Sequence, residues 1–151
     1  MWLSDETFKS VIQHTPLISI DLIVRNEQGE VLLGKRVNAP AKGYWFVPGG
    51  RVRKNETLDD AFVRLVKEEL GIESGITRAD AKFLGVFEHF YDDCVFGNEV
   101  STHYIVMGYE IADLNFEDIT ENIDQHEGYK FFDINGLKLM KNIHQYTKNY
   151  F

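Results

Sequence analysis

Phe8, Val11 and Ile12 share one helical face behind the polar run Ser4-Asp5-Glu6-Thr7, which predicts a short amphipathic helix ending before Pro16. Residues 17–25 then form an apolar, β-rich run. The pattern breaks at Asn26-Glu27-Gln28-Gly29 and resumes over 30–35, as expected of a hairpin. Residues 37–43, with Pro40 and Gly43, read as a loop, and Tyr44-Trp45-Phe46-Val47 as a short aromatic strand stopped by Pro48-Gly49-Gly50. Two more strands are expected over 82–91 and 101–111, joined by a loop over 92–100. A further short strand is expected over 128–132 and a terminal helix over 143–151. Helices and strands mix without strict βαβ alternation and without internal repeats, which predicts an α/β fold with a mixed β-sheet and helices on both faces.

The clearest helix starts at Thr57, whose hydroxyl can cap it with Asp60 three residues on, and ends at Gly71. Leu58, Ala61, Phe62 and Leu65 form its apolar stripe, with Val66 at the edge. Stepping about 100° per residue brings Glu69 within about 20° of Leu58, so a carboxylate points toward the core side near the helix C-terminus. Unpartnered burial of that charge costs several kcal/mol, and the helix dipole opposes it further. Either the frayed end near Gly71 lets Glu69 reach water, or it holds a divalent cation. Oxygen donors suit Mg²⁺ or Mn²⁺, and no Cys/His set has the spacing of a closed zinc site. Glu68 lies one turn from Arg64, either as a surface ion pair or as a second metal donor.

At 151 residues and 44% hydrophobic, the sequence predicts one domain over 1–151 with an apolar core. A net charge of −8 argues against nucleic acid or an anionic membrane as partner, though clustered arginines or a metal can still receive a small anion. Cys94 is the sole cysteine, so no internal disulfide is expected, and no apolar run approaches the roughly 20 residues of a membrane span. With no basic and then apolar leader at the N-terminus, a cytoplasmic location is expected.

Gly50, Glu56, Arg64, Val66, Glu68, Glu69, Gly71 and Ile72 match the spacing of the Nudix box, which here spans residues 50–72. On these residues the chain resembles the Nudix hydrolases. Leu65 departs from the pattern, standing where the box has the first glutamate of an Arg-Glu pair. The resemblance implies a Nudix-like α/β/α sandwich, a divalent metal held by helix carboxylates, and hydrolysis of a nucleoside diphosphate linked to another moiety.

Further stretches resemble one subgroup, the GDP-mannose mannosyl hydrolases: Pro16-Leu17-Ile18-Ser19-Ile20-Asp21, Leu33-Gly34-Lys35-Arg36, residues 43–52, His89-Phe90-Tyr91-Asp92-Asp93, Thr102-His103-Tyr104 and Gln125-His126. This resemblance implies Mg²⁺-dependent hydrolysis of GDP-mannose, or GDP-glucose, to GDP and free sugar by water attack at the anomeric carbon with inversion. A glutamate at position 65 is then unnecessary. The Gly49 carbonyl, Glu69 and Gln125 would hold the metal, His126 would be the general base, and Arg36 and Arg51 would contact the diphosphate with help from Tyr104. Asp21 and His89 would face the sugar. Trp2, Leu3 and Phe8 would help enclose the guanine, in a homodimer.

Residue by residue, blander readings stand beside these. His126 lies in the acidic run Asp124-Gln125-His126-Glu127, where a histidine is commonly a surface residue; Gln125 there reads as solvated. Asp21 sits inside an apolar run, where it serves either a buried structural hydrogen bond or a ligand. Tyr104 reads as strand core, Arg36 and Arg51 as surface charge, and Trp2, Leu3 and Phe8 as a helix flank and its core face. Because Leu65 breaks the box, a conventional pyrophosphatase yielding a nucleoside monophosphate and a sugar phosphate, and a non-catalytic nucleotide-sugar sensor, remain competing functions.

Overall fold

A computed structural model describes residues 2–120 and 128–151. Helix α1 (Asp5–His14) begins with the Ser4 hydroxyl accepting from the Thr7 amide and stops before Pro16. Strand β1 (Leu17–Val24) is buried on both faces except at Ile18, as its near-continuous apolar run requires of a central strand. It pairs in parallel with β6 (Thr102–Ile111) along its whole length and antiparallel with β4 (Gly49–Arg51), while β5 (Lys82–Tyr91) closes the sheet antiparallel to β6. The resulting four-stranded order is β4-β1-β6-β5. A second sheet joins β2 (Val31–Lys35) antiparallel to β3 (Trp45–Phe46) and to β7 (Tyr129–Phe132).

The expected hairpin does not form. The turn at Asn26–Gly29 closes as expected, with the Asn26 side chain accepting from the Gln28 and Glu30 amides. Beyond one Arg25–Val31 bridge, however, β2 leaves for the other sheet. A strand has two edges, and β1 has given one to β6 and the other to β4.

The aromatic strand β3 does stop before Pro48-Gly49-Gly50, as expected, but the two glycines open a further strand, β4. A Cβ on Gly49 would strike the Ile20 carbonyl and stand 2.6 Å from Asp21 Oδ1, and one on Gly50 would stand 2.5 Å from Leu65 Cδ2. Only glycine permits this approach.

Helix α2 (Leu58–Leu70) follows the sequence reading closely. Thr57 caps it through the Asp60 amide, and Gly71 terminates it at φ 71°, in the left-handed region. Ala61, Phe62, Leu65, Val66 and Leu70 pack against Ile20, Leu22 and Val24 of β1. On the opposite side, Ile23, Val31, Leu33, Phe46, Phe132 and Ile143 form a second core between the sheets. The structure is thus an α/β fold with a mixed β arrangement and helices packed on the sheets.

Helix α3 (Phe116–Thr120) follows β6, and α4 (Ile134–Leu137) follows β7. The expected helix over 143–151 shrinks to α5 (Gln145–Lys148), because Ile143 is drawn into a bridge with Trp45 and Tyr150 turns inward. Among the described residues no helix is long and apolar enough to cross a membrane.

Contact between Gly50 and Leu65 generates a stability prediction. Leu65→Ala is expected to lower the unfolding free energy by about 2–5 kcal/mol. Gly50→Ala should cost less in that background than in the wild type, because the clashing methyl is gone. Urea denaturation of the two single variants and the double variant measures both effects; strict additivity would contradict the contact.

Candidate active site

The face of the four-stranded sheet opposite α2 opens into a cavity of about 430 Å³, bounded also by β2, the loop after it and one edge of α2. Seven residues singled out from the sequence line it: Asp21, Arg36, Gly49, Arg51, Glu69, His89 and Tyr104. Strand alternation brings several of them together. Asp21 on β1, Tyr104 on β6 and His89 on β5 point to one side of the sheet, with His89 and Tyr104 directly paired in register.

Trp2, Leu3 and Phe8 do not line this cavity. Trp2 is 85% exposed and lies beneath the Arg53 guanidinium, whereas Phe8 carries the Arg51 guanidinium at 4.7 Å from its ring. Phe8 therefore borders the site through Arg51. Gln125 and His126 lie outside the described residues.

Positive charge is held in place from behind. Arg36 donates from Nε to the Pro40 carbonyl at 2.7 Å, which fixes the plane of its fork. Arg51 has its pKa lowered first by burial and then by the neighbouring Arg53. Its backbone carbonyl accepts from Arg64 at 2.8 Å. Arg64 also grips Glu56 through two bonds of 2.6 and 2.9 Å and reaches Glu68 at 3.0 Å. That network holds the Glu56 carboxyl down at about 2, chiefly through the Arg64 hydrogen bond, and ties the loop before α2 to the helix. Glu68 also lies 3.7 Å from Arg53, so it sits in an ion pair on the exposed side of α2.

Asp21 is almost fully buried and accepts a hydrogen bond from the Tyr150 hydroxyl at Oδ2, 2.6 Å away, while also lining the cavity. The two readings of this residue, structural bond and ligand contact, are thus compatible. Burial pushes its carboxyl up to about 7, against the opposing effects of Tyr150 and Arg36. His89 lies face to face with Tyr146 at 4.2 Å, and burial, with His144 nearby, lowers its pKa to about 4. It is a neutral imidazole at pH 7.

Glu69 is half-buried, and its pKa is raised first by burial. Its carboxylate accepts from the Tyr129 hydroxyl at 3.3 Å and faces the cavity without an ion-pair partner among the described residues. No cluster of three His, Cys, Asp or Glu occurs among the described residues. A desolvated carboxylate oxygen in a cavity that Gly49 also lines nevertheless fits the chemistry of a hard cation that also takes neutral oxygens and water. Leu65 contributes nothing to the cavity; it is 1% exposed within the core.

Reading the sequence missed Tyr91 and Tyr129, which line the cavity, and Tyr150, which bonds Asp21 from the far end of the chain. Tyr91 does lie in a stretch matched to the subgroup, but for Tyr150 the signal is only an aromatic-rich C-terminus, with Tyr146 and Phe151, which reads equally well as a helix packing on the core.

Comparison with known proteins gives the family of the chain. The NUDIX domain profile matches residues 15–150. The low-salt glycan biosynthesis protein Agl8 of Haloferax volcanii is 41% identical over 148 residues, covering 98% of this chain and 88% of that protein. An ADP-ribose pyrophosphatase of Methanocaldococcus jannaschii is 42% identical over only 57 residues, 38% of this chain and 33% of that one. Among solved structures, a MutT protein from Methanosarcina mazei superposes with a TM-score of 0.61 at 24% identity, covering 91% of each chain, which speaks for the fold alone. The chain belongs to the Nudix family and is a Nudix hydrolase, a class that acts on nucleoside diphosphate substrates.

Because Asp21 is protonated in the fold at pH values where the unfolded chain is already ionised, its burial costs progressively more as pH rises from 3.8 toward about 7. In metal-free buffer, the unfolding free energy of the wild type is expected to fall across that window relative to Asp21→Asn. Urea titrations at pH 4, 5.5 and 7 measure the difference, and parallel profiles for the two proteins would refute it.

Proposed function

We propose that this chain hydrolyses a GDP-linked hexose, GDP-mannose or GDP-glucose, to GDP and free sugar. The water oxygen bonds to the anomeric carbon with inversion, the bond from that carbon to the diphosphate oxygen breaks, and a base on the protein takes the proton. The observation that carries this reading is Leu65. Where the Nudix box has a glutamate, this chain buries an apolar side chain against Gly50, so α2 offers the diphosphate one carboxylate fewer for attack at phosphorus.

The residues that remain suit departure of a diphosphate. Arg36, held at Nε by the Pro40 carbonyl, and Arg51, whose guanidinium lies over the Phe8 ring, would bind the leaving oxygens, where forked guanidinium groups stabilise growing charge. Tyr104 has a pKa raised by burial, so its neutral phenol would donate a further hydrogen bond. Asp21 and neutral His89 would take the sugar hydroxyls. His126 would be the general base, an assignment resting on its match to the subgroup. Trp2, Leu3 and Phe8 would flank the guanine in a homodimer, with Arg51 spanning from Phe8 to the diphosphate.

Glu69, the Gly49 carbonyl and Gln125 would hold Mg²⁺, or Mn²⁺. When bound, the cation supplies electrostatic withdrawal from the diphosphate. The name of the Haloferax volcanii relative, a glycan biosynthesis protein, supports a sugar-bearing substrate. Cytoplasmic precursor control fits such a reaction.

A conventional pyrophosphatase is a second reading, favoured by the retained Glu68-Glu69 pair. Hydrolysis of GDP-mannose in ¹⁸O-labelled water separates the two. Label is expected in free mannose; GMP with mannose 1-phosphate would overturn the proposal, and binding without turnover would point to a sensor. Glu69→Gln is expected to depress metal-dependent turnover more than Glu68→Gln, since Glu68 sits in an exposed ion pair with Arg64. Equal losses would count against the assigned metal ligand.

A further inference from the structure

Tyr150 stands 129 residues from Asp21 in sequence, yet its hydroxyl donates to Asp21 Oδ2 at 2.6 Å. Its ring is wedged rather than loosely laid against the sheet. It meets Phe87 edge-on at 4.6 Å, and a Cβ added at Gly108 would stand 2.9 Å from it. The absence of a side chain at position 108 is thus what opens the slot for the ring between β1 and β5.

The segment carrying this tyrosine is anchored on both sides. Thr147 is fully buried and accepts at Oγ1 from the Val47 amide, and Phe151 lies beneath the Arg25 guanidinium at 5.2 Å. Asp21 is confined equally closely. One carboxylate oxygen is taken by Tyr150; the other, Oδ1, lies so near Gly49 that a methyl there would be 2.6 Å away. Burial holds the Tyr150 phenol far above its ordinary pKa, so it stays a hydrogen-bond donor at any working pH.

We infer that Tyr150 is a positioning residue: by occupying Oδ2 it fixes the Asp21 carboxyl so that Oδ1 hydrogen-bonds a hydroxyl of the neutral, non-nucleotide half of the ligand, and so sets selectivity for a nucleotide that carries a sugar. This rests on the nucleotide-sugar function proposed above. Cations and carboxyl occupy separate roles in such a site: Arg36 and Arg51 meet the diphosphate, which GDP alone also has, whereas Asp21 meets only what GDP lacks. Loosening Asp21 therefore weakens one ligand and spares the other, which a general loss of packing does not do.

Tyr150→Phe keeps the ring in its slot and removes the donor. Losing one hydrogen bond to a charged or strongly polar partner is expected to lower kcat/KM for GDP-mannose about tenfold, mainly through KM. The Kd of GDP with Mg²⁺, measured by calorimetry, should stay within about twofold. In an Asp21→Asn background the same substitution should add little, as for two members of one interaction. Gly108→Ala displaces the ring without touching its hydroxyl and should reproduce the selective loss if Tyr150→Phe proves too unstable to assay. Equal weakening of GDP and GDP-mannose, or no loss at all, in a wild-type-active system would overturn the inference while leaving the proposed function standing. Failure of the wild type to bind or turn over GDP-mannose would instead remove the function, and this inference with it.

Discussion

The close approach of a glycine pair to two neighbours is the constraint on which the rest of the structure depends. Gly49 has no room for a side chain against the Ile20 carbonyl and Asp21, and Gly50 has none against Leu65. These two contacts let β4 lie against β1 on one side and α2 on the other. The same short segment thereby carries backbone to the cavity, delivers Arg51 to its rim, and buries Leu65 in the core. A single methyl group at either position would push apart the layers that define the site.

Charge is arranged around that segment in two tiers. Behind the cavity, Arg64 satisfies Glu56, Glu68 and the Arg51 carbonyl, so the carboxylates beside it are neutralised by geometry rather than left to repel a diphosphate. Inside the cavity, Asp21 and Glu69 are desolvated and hydrogen-bonded by the phenols of Tyr150 and Tyr129 rather than paired with arginine. A phenol occupies one carboxyl oxygen without bringing a positive charge of its own, so Asp21 keeps its capacity to meet a ligand hydroxyl and Glu69 to meet a cation. A chain of net charge −8 can in this way present a locally cationic rim and two poised carboxyls within the same cavity.

Helix α2 is legible in the sequence because its signals are local. The Thr57 cap, the Gly71 stop and the period of Ala61, Phe62, Leu65 and Val66 are all written within fifteen or so residues, and short-range physics is enough to read them. The inward carboxylate of Glu69 was legible for the same reason. Seven cavity residues could be singled out because the matched stretches travel together with the Nudix box, whereas the partners that hold them could not. The hairpin expectation failed on information that no local pattern contains: whether β1 uses its edges for a neighbour in sequence or for β4 and β6.

What the sequence by itself determined is thus the long strands, the ends of α1 and α2, the box and its one departure at Leu65. Tertiary structure alone decided that Leu65 belongs to the core, that β2 crosses to a second sheet, and that Tyr150 reaches Asp21 across 129 positions. The division follows from range. Capping, periodicity and turns depend on groups a few residues apart, while strand partnership and the slot beside Gly108 depend on which distant surfaces meet when the core closes.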